Sequence, residues 1–414
     1  MNDQEKLVLA RNLLSSKKYN EAENILLSLI SNAKVKNPIT ENETHYTFSG
    51  IMDFLTFQKV FETNKINVVA DVFYSDIYFN LGFIKFEIED YDKAIEYYKK
   101  GLEWNPVDVS LMFEIAAAYK RKGQIEKSKD KLLEIHKFIY NPEYLAKLYR
   151  ELGWYYIEIG EYSLANALYS FSLKYFKTNI AYNELSYIAS QEKREVHLST
   201  MDEVEELFSK FNIPMGFDKT LVDFYMYVWD KERVENEKSP EFISLSDALY
   251  KITYDKKYII YKTLIDHELE IQFNIPHNWR ILNKEERQKV GFPDNLRCVI
   301  SSLDRNYVII DVFGKCNKEN FKVYCEKEKN NNKNNGYQVL YEKYDENKFE
   351  YQIIYKFKNN IVYENYLLIN DYIINISRPI YENTSIEKLT QLIDKSVIKD
   401  VINSMKSTIK WDIN

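Results

Sequence analysis

The side chains best suited to chemistry are few and scattered. Five histidines and three cysteines are spread over 414 residues. His267 and His277 stand ten residues apart around an alternating segment, and two imidazoles make a metal site only with further ligands from elsewhere. Solvent-facing or hydrogen-bonded rings are the plainer expectation. Cys298, Cys316 and Cys325 form no CxxC and are odd in number, so free thiols in a reducing compartment are expected. Glu268 and Glu270 read as a solvated pair on one strand face. The acidic run at 202–206 (DEVEE) suits the first turn of a helix. No GxSxG, HExxH or GxGxxG occurs, and no P-loop signature. The chain is therefore expected not to be an enzyme, with no catalytic residue, metal or cofactor.

Charge and termini narrow the partners. Lys and Arg number 56 against 63 Asp and Glu, a net charge of −7. Residues 258–414 hold 23 basic and 22 acidic side chains, leaving 33 and 41 for residues 1–257. Neither half has the basic excess of a nucleic-acid binder, so no nucleic-acid partner is expected. The opening MNDQEKLVLARNLL lacks a basic stretch leading into a long apolar core, and no run approaches the ~18 apolar residues of a membrane span. A cytoplasmic location is the expectation. A hydrophobic content of 45 % excludes a wholly disordered chain. The 35 tyrosines accompany abundant Lys, Asn and Ile, a skew of AT-rich coding that says little about function.

The elements that must position any site come in two kinds. In the first half, four segments carry a large residue followed three positions later by a small one: Tyr19 and Ala22, Tyr91 and Ala94, Ile125 and Ser128, Tyr162 and Ala165. Twelve residues before each small residue stands another, Ala10, Gly82, Ala116 and Gly153, and four residues after it come Leu26, Tyr98, Leu132 and Tyr169. Two antiparallel helices favour this pattern, because small residues let the axes approach while large ones interdigitate. Pro106 ends one pair and opens the next.

This pattern resembles the tetratricopeptide repeat, best at Ser75–Asp108 and more weakly at 3–36, 109–145 and 146–179. The runs KGLEWNPVD, YRELGWYYIE and NELSYIA also resemble a group of bacterial repeat proteins without a known activity. The resemblance implies a solenoid over residues 1–190 with an insertion at 37–74. Within that insertion, 50–61 reads as a helix whose Ile51, Phe54, Leu55 and Phe61 are placed to cap a groove. Residues 191–257 read as a helical cap and linker, with Thr200 and Glu203 as a capping box and 230–241 as charged connection.

In such a repeat the first helix of each pair lines the concave surface. Those positions give Phe79, Phe83, Phe86, Phe113, Lys120, Arg121, Arg150, Trp154 and Ile157, an aromatic and cationic mixture that interface hot spots favour. Phe79 and Phe83 occupy places that a cationic clamp for a terminal carboxylate would need. An apolar segment with some acidic charge fits better. The same aromatics also suit packing on the adjoining helix, or cover by the 37–74 insertion or the helices at 199–229.

From about Tyr258 the hydrophobic period changes to two. Leu269, Ile271, Phe273 and Ile275 alternate with polar residues, strands follow at 296–303 and 307–313, and a polar helix is expected at 318–329. NNNKNNG at 330–336 reads as a loop, four more strands form a meander, and Thr384 with Glu387 caps one closing amphipathic helix. FNIPHNW at 273–279 and the closing VINSMKSTIKW resemble the fold shared by the photosystem subunit PsbP and a yeast Ran-binding protein, families whose members mostly bind proteins. The expected fold is thus multidomain: an all-α helical-repeat solenoid, then an α+β domain at 258–414 with an antiparallel sheet. The expected function is a non-enzymatic adaptor or chaperone-like scaffold with a protein or peptide partner. Ligand or metal sensing through the C-terminal domain is the alternative.

Overall fold

Capping side chains decide where the helices of the first half begin. Asn2 and Glu5 close a capping box on α1 (Asp3–Ser15), which pairs with α2 (Tyr19–Ser31). β1 (Glu43–Tyr46), α3 (Ile51–Val60) and β2 (Ile66–Val69) follow, the two strands pairing in parallel. Three further pairs are α4 (Tyr74–Glu87) with α5 (Tyr91–Trp104), α6 (Val109–Arg121) with α7 (Ile125–Ile135), and α8 (Pro142–Glu158) with α9 (Tyr162–Tyr175). Asp90, Asp108 and Asn141 cap α5, α6 and α8, each accepting from a first-turn amide. α10 (Asn179–Gln191), α11 (Met201–Phe211), α12 (Lys219–Asn236) and α13 (Pro240–Thr253) complete a unit spanning residues 1–255. This computed structural model describes residues 2–31, 43–61, 66–69, 74–236, 239–292, 296, 298–301, 307–358, 360–380, 385–394 and 396–407.

The spacing of small and large residues works as helix packing requires. Gly82 lies under the Tyr98 ring so closely that even a Cβ would collide with it. At Gly153 a Cβ would come within 2.7 Å of the Tyr169 ring. Ala10, Ala22, Ala94, Ala116 and Ala165 are all buried. Each turn between paired helices uses a left-handed residue at one equivalent place, Lys17, Glu89, Gly123 and Gly160, with φ between 57° and 79°. Thr200 and Glu203 form the capping box of α11, whose Phe208 packs on Tyr149 and Phe171.

The insertion and the charged stretch both differ in detail from the sequence reading. α3 forms, but it packs on α12 and α13, with Thr56 Oγ1 2.5 Å from the Tyr225 hydroxyl. Buried Asp53 of α3 accepts from Asn105 Nδ2, Tyr140 Oη and the Ser49 amide at 2.9–3.1 Å. Residues 37–42, 62–65 and 70–73 of the insertion lie outside the described residues. The stretch 230–241 is helical as far as Asn236, and Pro240 begins α13 behind the cap Ser239.

The second unit, residues 256–414, is built on antiparallel strands. It contains β3 (Tyr261–Asp266), β4 (Ile271–Pro276), β5 (Arg280–Ile281), α14 (Lys284–Lys289), β6 (Cys298–Ser301), β7 (Tyr307–Lys315), α15 (Lys318–Asn334), β8 (Gln338–Asp345), β9 (Glu350–Phe357), β10 (Asn360–Ile369), β11 (Tyr372–Ile380), α16 (Ile386–Asp394), α17 (Val397–Ser404) and β12 (Lys406–Ser407). The main sheet has the order β5-β6-β7-β11-β10-β9-β8, and a smaller one the order β12-β4-β3. Ile354, Ile374 and Ile376 face Leu389, Ile398 and Val401 of α16 and α17, while Tyr351, Ile353 and Tyr366 face Phe321 and Cys325 of α15. Strand alternation thus feeds two apolar layers, one on each side of the sheet.

Leu269, Ile271, Phe273 and Ile275 are all buried as the alternation requires, and the Trp279 amide donates to Pro276 O at 2.9 Å. Asn370 and Asp371 both take positive φ in the β10–β11 turn. Three expectations are corrected. Glu268 and Glu270 lie in the β3–β4 turn, Glu270 at φ 53°, because the β3–β4 pairing stops at Asp266 and Ile271. The expected loop at 330–336 is helix as far as Asn334, where α15 ends, and Gly336 beyond it supplies the positive φ of the turn. The expected closing helix is two, because Ser396 turns the chain, its amide and hydroxyl both donating to Ile393 O. Thr384 of the expected cap, and Trp411 of the closing motif, lie outside the described residues.

Candidate functional site

The first helices of successive pairs stand side by side. Arg11 of α1 donates to Asp76 of α4 at 2.8 Å, and the Ser110 hydroxyl of α6 lies 2.7 Å from that of Tyr144 in α8. Between α1, α4 and α6 lies an open cavity of about 520 Å³. Phe79 and Phe83 supply its aromatic lining, Leu14 adds apolar surface, and Arg11, Asp76 and Asp108 charge its margin. A helix brings positions four apart onto one face, which explains the pairing of Phe79 with Phe83. Each ring rests on the core behind it, Phe79 beside Tyr98 with centroids 6.1 Å apart, while part of its surface stays open.

Further along, the lining becomes cationic. Lys120 Nζ sits 3.7 Å from the centroid of the Trp154 ring and donates to Glu151 at 3.2 Å. Lys147 Nζ lies 4.5 Å from the Phe113 centroid. Arg121 is exposed at the end of α6. Arg150 is half-buried with Nη1 inside the protein and no hydrogen-bond partner, and burial lowers its pKa.

The other expected groove residues point elsewhere. Phe113 is 2 % exposed and stacks beside Tyr144 in the core. Ile157, 8 % exposed, belongs to the core cluster. Phe86 packs edge-on against Tyr91 of its own pair at 5.3 Å. Arg11, Leu14, Asp76, Asn80, Asp108 and Ser110 line the cavity without having been singled out from the sequence. Their signal was available: Arg11 and Leu14 occupy in α1 the places of Phe83 and Phe86 in α4, one and four positions past Ala10 and Gly82.

Two carboxylates here are perturbed. Burial pushes Asp108 up to about 6, against hydrogen bonds from the Leu111 and Ser110 amides. Burial also raises Glu114, opposed by Lys147. His267 and His277 are exposed, and the described residues contain no group of three His, Cys, Asp or Glu placed to hold a metal ion. Among the described residues no helix is long and apolar enough to cross a membrane.

The α4–α5 pair is the part of the chain that known families recognise. Residues 75–108 match the tetratricopeptide repeat family, and they are a tetratricopeptide repeat. No curated protein matches the chain in sequence. Among solved structures it is similar to the first repeat domain of Spaghetti (RPAP3) bound to an HSP90 peptide, at 23 % identity over 29 % of this chain and 94 % of that one, TM-score 0.27. It is similar to the Saccharomyces cerevisiae Ran-binding protein Mog1p, at 11 % identity over 36 % and 96 % of the two chains, TM-score 0.24. Cyanobacterial PsbP from Synechocystis sp. PCC 6803 is similar at 11 % identity over 36 % and 92 %, TM-score 0.25.

Proposed function

We propose that this chain is a non-enzymatic adaptor or chaperone-like scaffold whose repeat groove holds an apolar-anchored, acidic segment of a partner protein. The observation that carries this reading is the pairing of Phe79 and Phe83 with Leu14 in one open cavity. An aliphatic or aromatic side chain entering the cavity removes apolar surface of both partners from water, the main drive for such contacts. Acidic residues of the partner meet Lys120 over the indole and the exposed Arg121 at the end of α6. Ser49 of the insertion lines the same cavity, which stays open beside Phe79 and Phe83, while α3 packs on α12 and α13.

The test is a peptide-display selection on the full chain, followed by affinity measurement with synthetic peptides. Sequences pairing an apolar anchor with acidic residues are expected to enrich. The double variant Phe83→Ala/Trp154→Asp is expected to weaken them at least ~100-fold, the scale of two hot-spot truncations, with far-UV circular dichroism unchanged. Enrichment of basic peptides, or full affinity in a folded double variant, would falsify the groove reading.

A further inference from the structure

We propose that the sheet unit carries a second site, a small cavity between β8, β9 and α16–α17 that binds a small oxyanion with carboxylate or phosphate oxygens. The cavity measures about 140 Å³, and its lining includes Lys343, Lys348 and Lys399 together with Asp345, Glu350 and Gln352. Strand register explains the gathering. Lys343 lies opposite Gln352 and Asp345 opposite Glu350, so alternate residues of both strands reach one face.

Hydrogen bonding separates the acids from the bases. Asp345 Oδ1 accepts from the Asn347 and Lys348 amides at 3.1 and 3.2 Å, so this carboxylate shapes the β8–β9 turn. Glu350 Oε1 accepts from Lys399 Nζ at 2.9 Å and from Gln352 Nε2 at 2.7 Å. One oxygen of each acid is thus engaged from within the unit. Lys343 and Lys348 line the cavity, are exposed, and have no carboxylate partner among the described residues.

The layer behind the cavity is short of acceptors as well. Tyr363 lines it and donates to Asn365 Oδ1 at 3.2 Å, while the Asn365 Nδ2 is buried without a partner. The two lysines without a carboxylate partner select a ligand that brings acceptors, and the lining's net positive charge selects an anion. The volume is below the ~300 Å³ at which drug-sized ligand pockets begin. It suits inorganic phosphate or a carboxylate of a few carbons. This site shares no residue with the repeat groove, so the two readings stand or fall separately.

Calorimetric titration of the full chain with inorganic phosphate and, separately, with succinate tests the proposal. Saturable binding of at least one is expected with one site per chain, and the tighter of the two identifies the source of the oxygens. Lys343→Gln/Lys348→Gln is expected to weaken it by at least ~10-fold, about one charge-assisted hydrogen bond, with the melting temperature of the unliganded protein unchanged. Both substituted side chains are exposed, which keeps the variant folded. Absence of saturable heat from both anions at millimolar concentration would overturn the site, as would undiminished affinity in the double variant.

Discussion

Two tyrosines of the helical unit are buried against glycine, and two of the sheet unit are buried against carboxylates. Tyr98 covers Gly82 and Tyr169 covers Gly153, contacts of shape in which the Tyr98 hydroxyl is left buried without a partner. In the sheet unit the Tyr366 hydroxyl donates to Glu364 and the Tyr351 hydroxyl to Glu342, each at 2.7 Å. Glu342 also takes Lys329, 3.0 Å away, and Glu350 takes Lys399. Backbone geometry accounts for the difference. Paired helices meet through side chains alone, so close approach is the scarce resource. On a sheet, residues two apart on a strand or opposite on the next strand stand side by side, so a polar tip finds a neighbour at little cost.

Breaking a buried charge pair should have the largest effect. Lys399→Met leaves Glu350, whose side chain is 6 % exposed, without its ammonium partner. A loss of about 3–5 kcal/mol is expected in urea unfolding. Adding Glu350→Gln should recover most of it. A single-variant loss below about 1 kcal/mol would end the claim that the sheet unit depends on charge.

The helical unit holds buried carboxylates too, Asp53 bonded to Tyr140 and Asp108 at the α6 cap. Asp108 is raised to about 6 from its ordinary 3.8, chiefly by burial. The folded state therefore binds its proton more tightly than the unfolded chain does. This contribution is fullest below pH 3.8 and is lost as pH rises through about 6. Asp108→Asn keeps a good helix cap and should remove that slope from stability measured against pH. An unchanged slope would show that burial of this carboxylate has no energetic consequence.

Shape comes next. Gly82→Ala drives a methyl into the Tyr98 ring, and overpacking minus the gain in helix propensity leaves a loss of about 2 kcal/mol. Gly153→Ala, with slightly more room, should lose less. Equal stability in both variants would mean that the rings move aside freely. The smallest effects come from hydroxyl removal, and there the two units should differ in sign. Tyr366→Phe should cost about 1–2 kcal/mol, since Glu364 loses its donor, whereas Tyr98→Phe should be neutral or gain up to about 1 kcal/mol. Thermal unfolding of the two variants side by side decides the matter.

The repeats were legible because their determinants are local. A small residue at Gly82 and a large one at Tyr98 lie within one helix pair, and a single window of sequence displays both. Phe79 and Phe83 followed from the same register. Phe113 and Ile157 did not, because the sequence shows which helix face they occupy but not how far a neighbouring helix covers that face. Arg11 and Asp76 are separated by α2 and the insertion, so their ion pair leaves no short-range trace. The asparagine-rich end of α15 read as loop because asparagine is a weak helix former, yet the helix is anchored upstream by buried Phe321 and Cys325. The lysines of the sheet cavity were hidden for another reason: their meeting depends on strand register, which the alternation of residues alone does not supply.

The pairing of β12 with β4 bears on the order in which the chain matures. Ser407 lies opposite Ile271, and the Asn274 amide donates to the Ser404 hydroxyl at 2.8 Å. One side of β4 is therefore satisfied by residues synthesised some 130 positions later. Each helix pair of the first unit, by contrast, holds its principal contacts within about 34–37 residues. On a ribosome the repeats can acquire their contacts one after another, whereas the β4 edge waits for the chain to reach Ser404. During that interval the helix pairs of the first unit can already fold while the sheet unit is still incomplete.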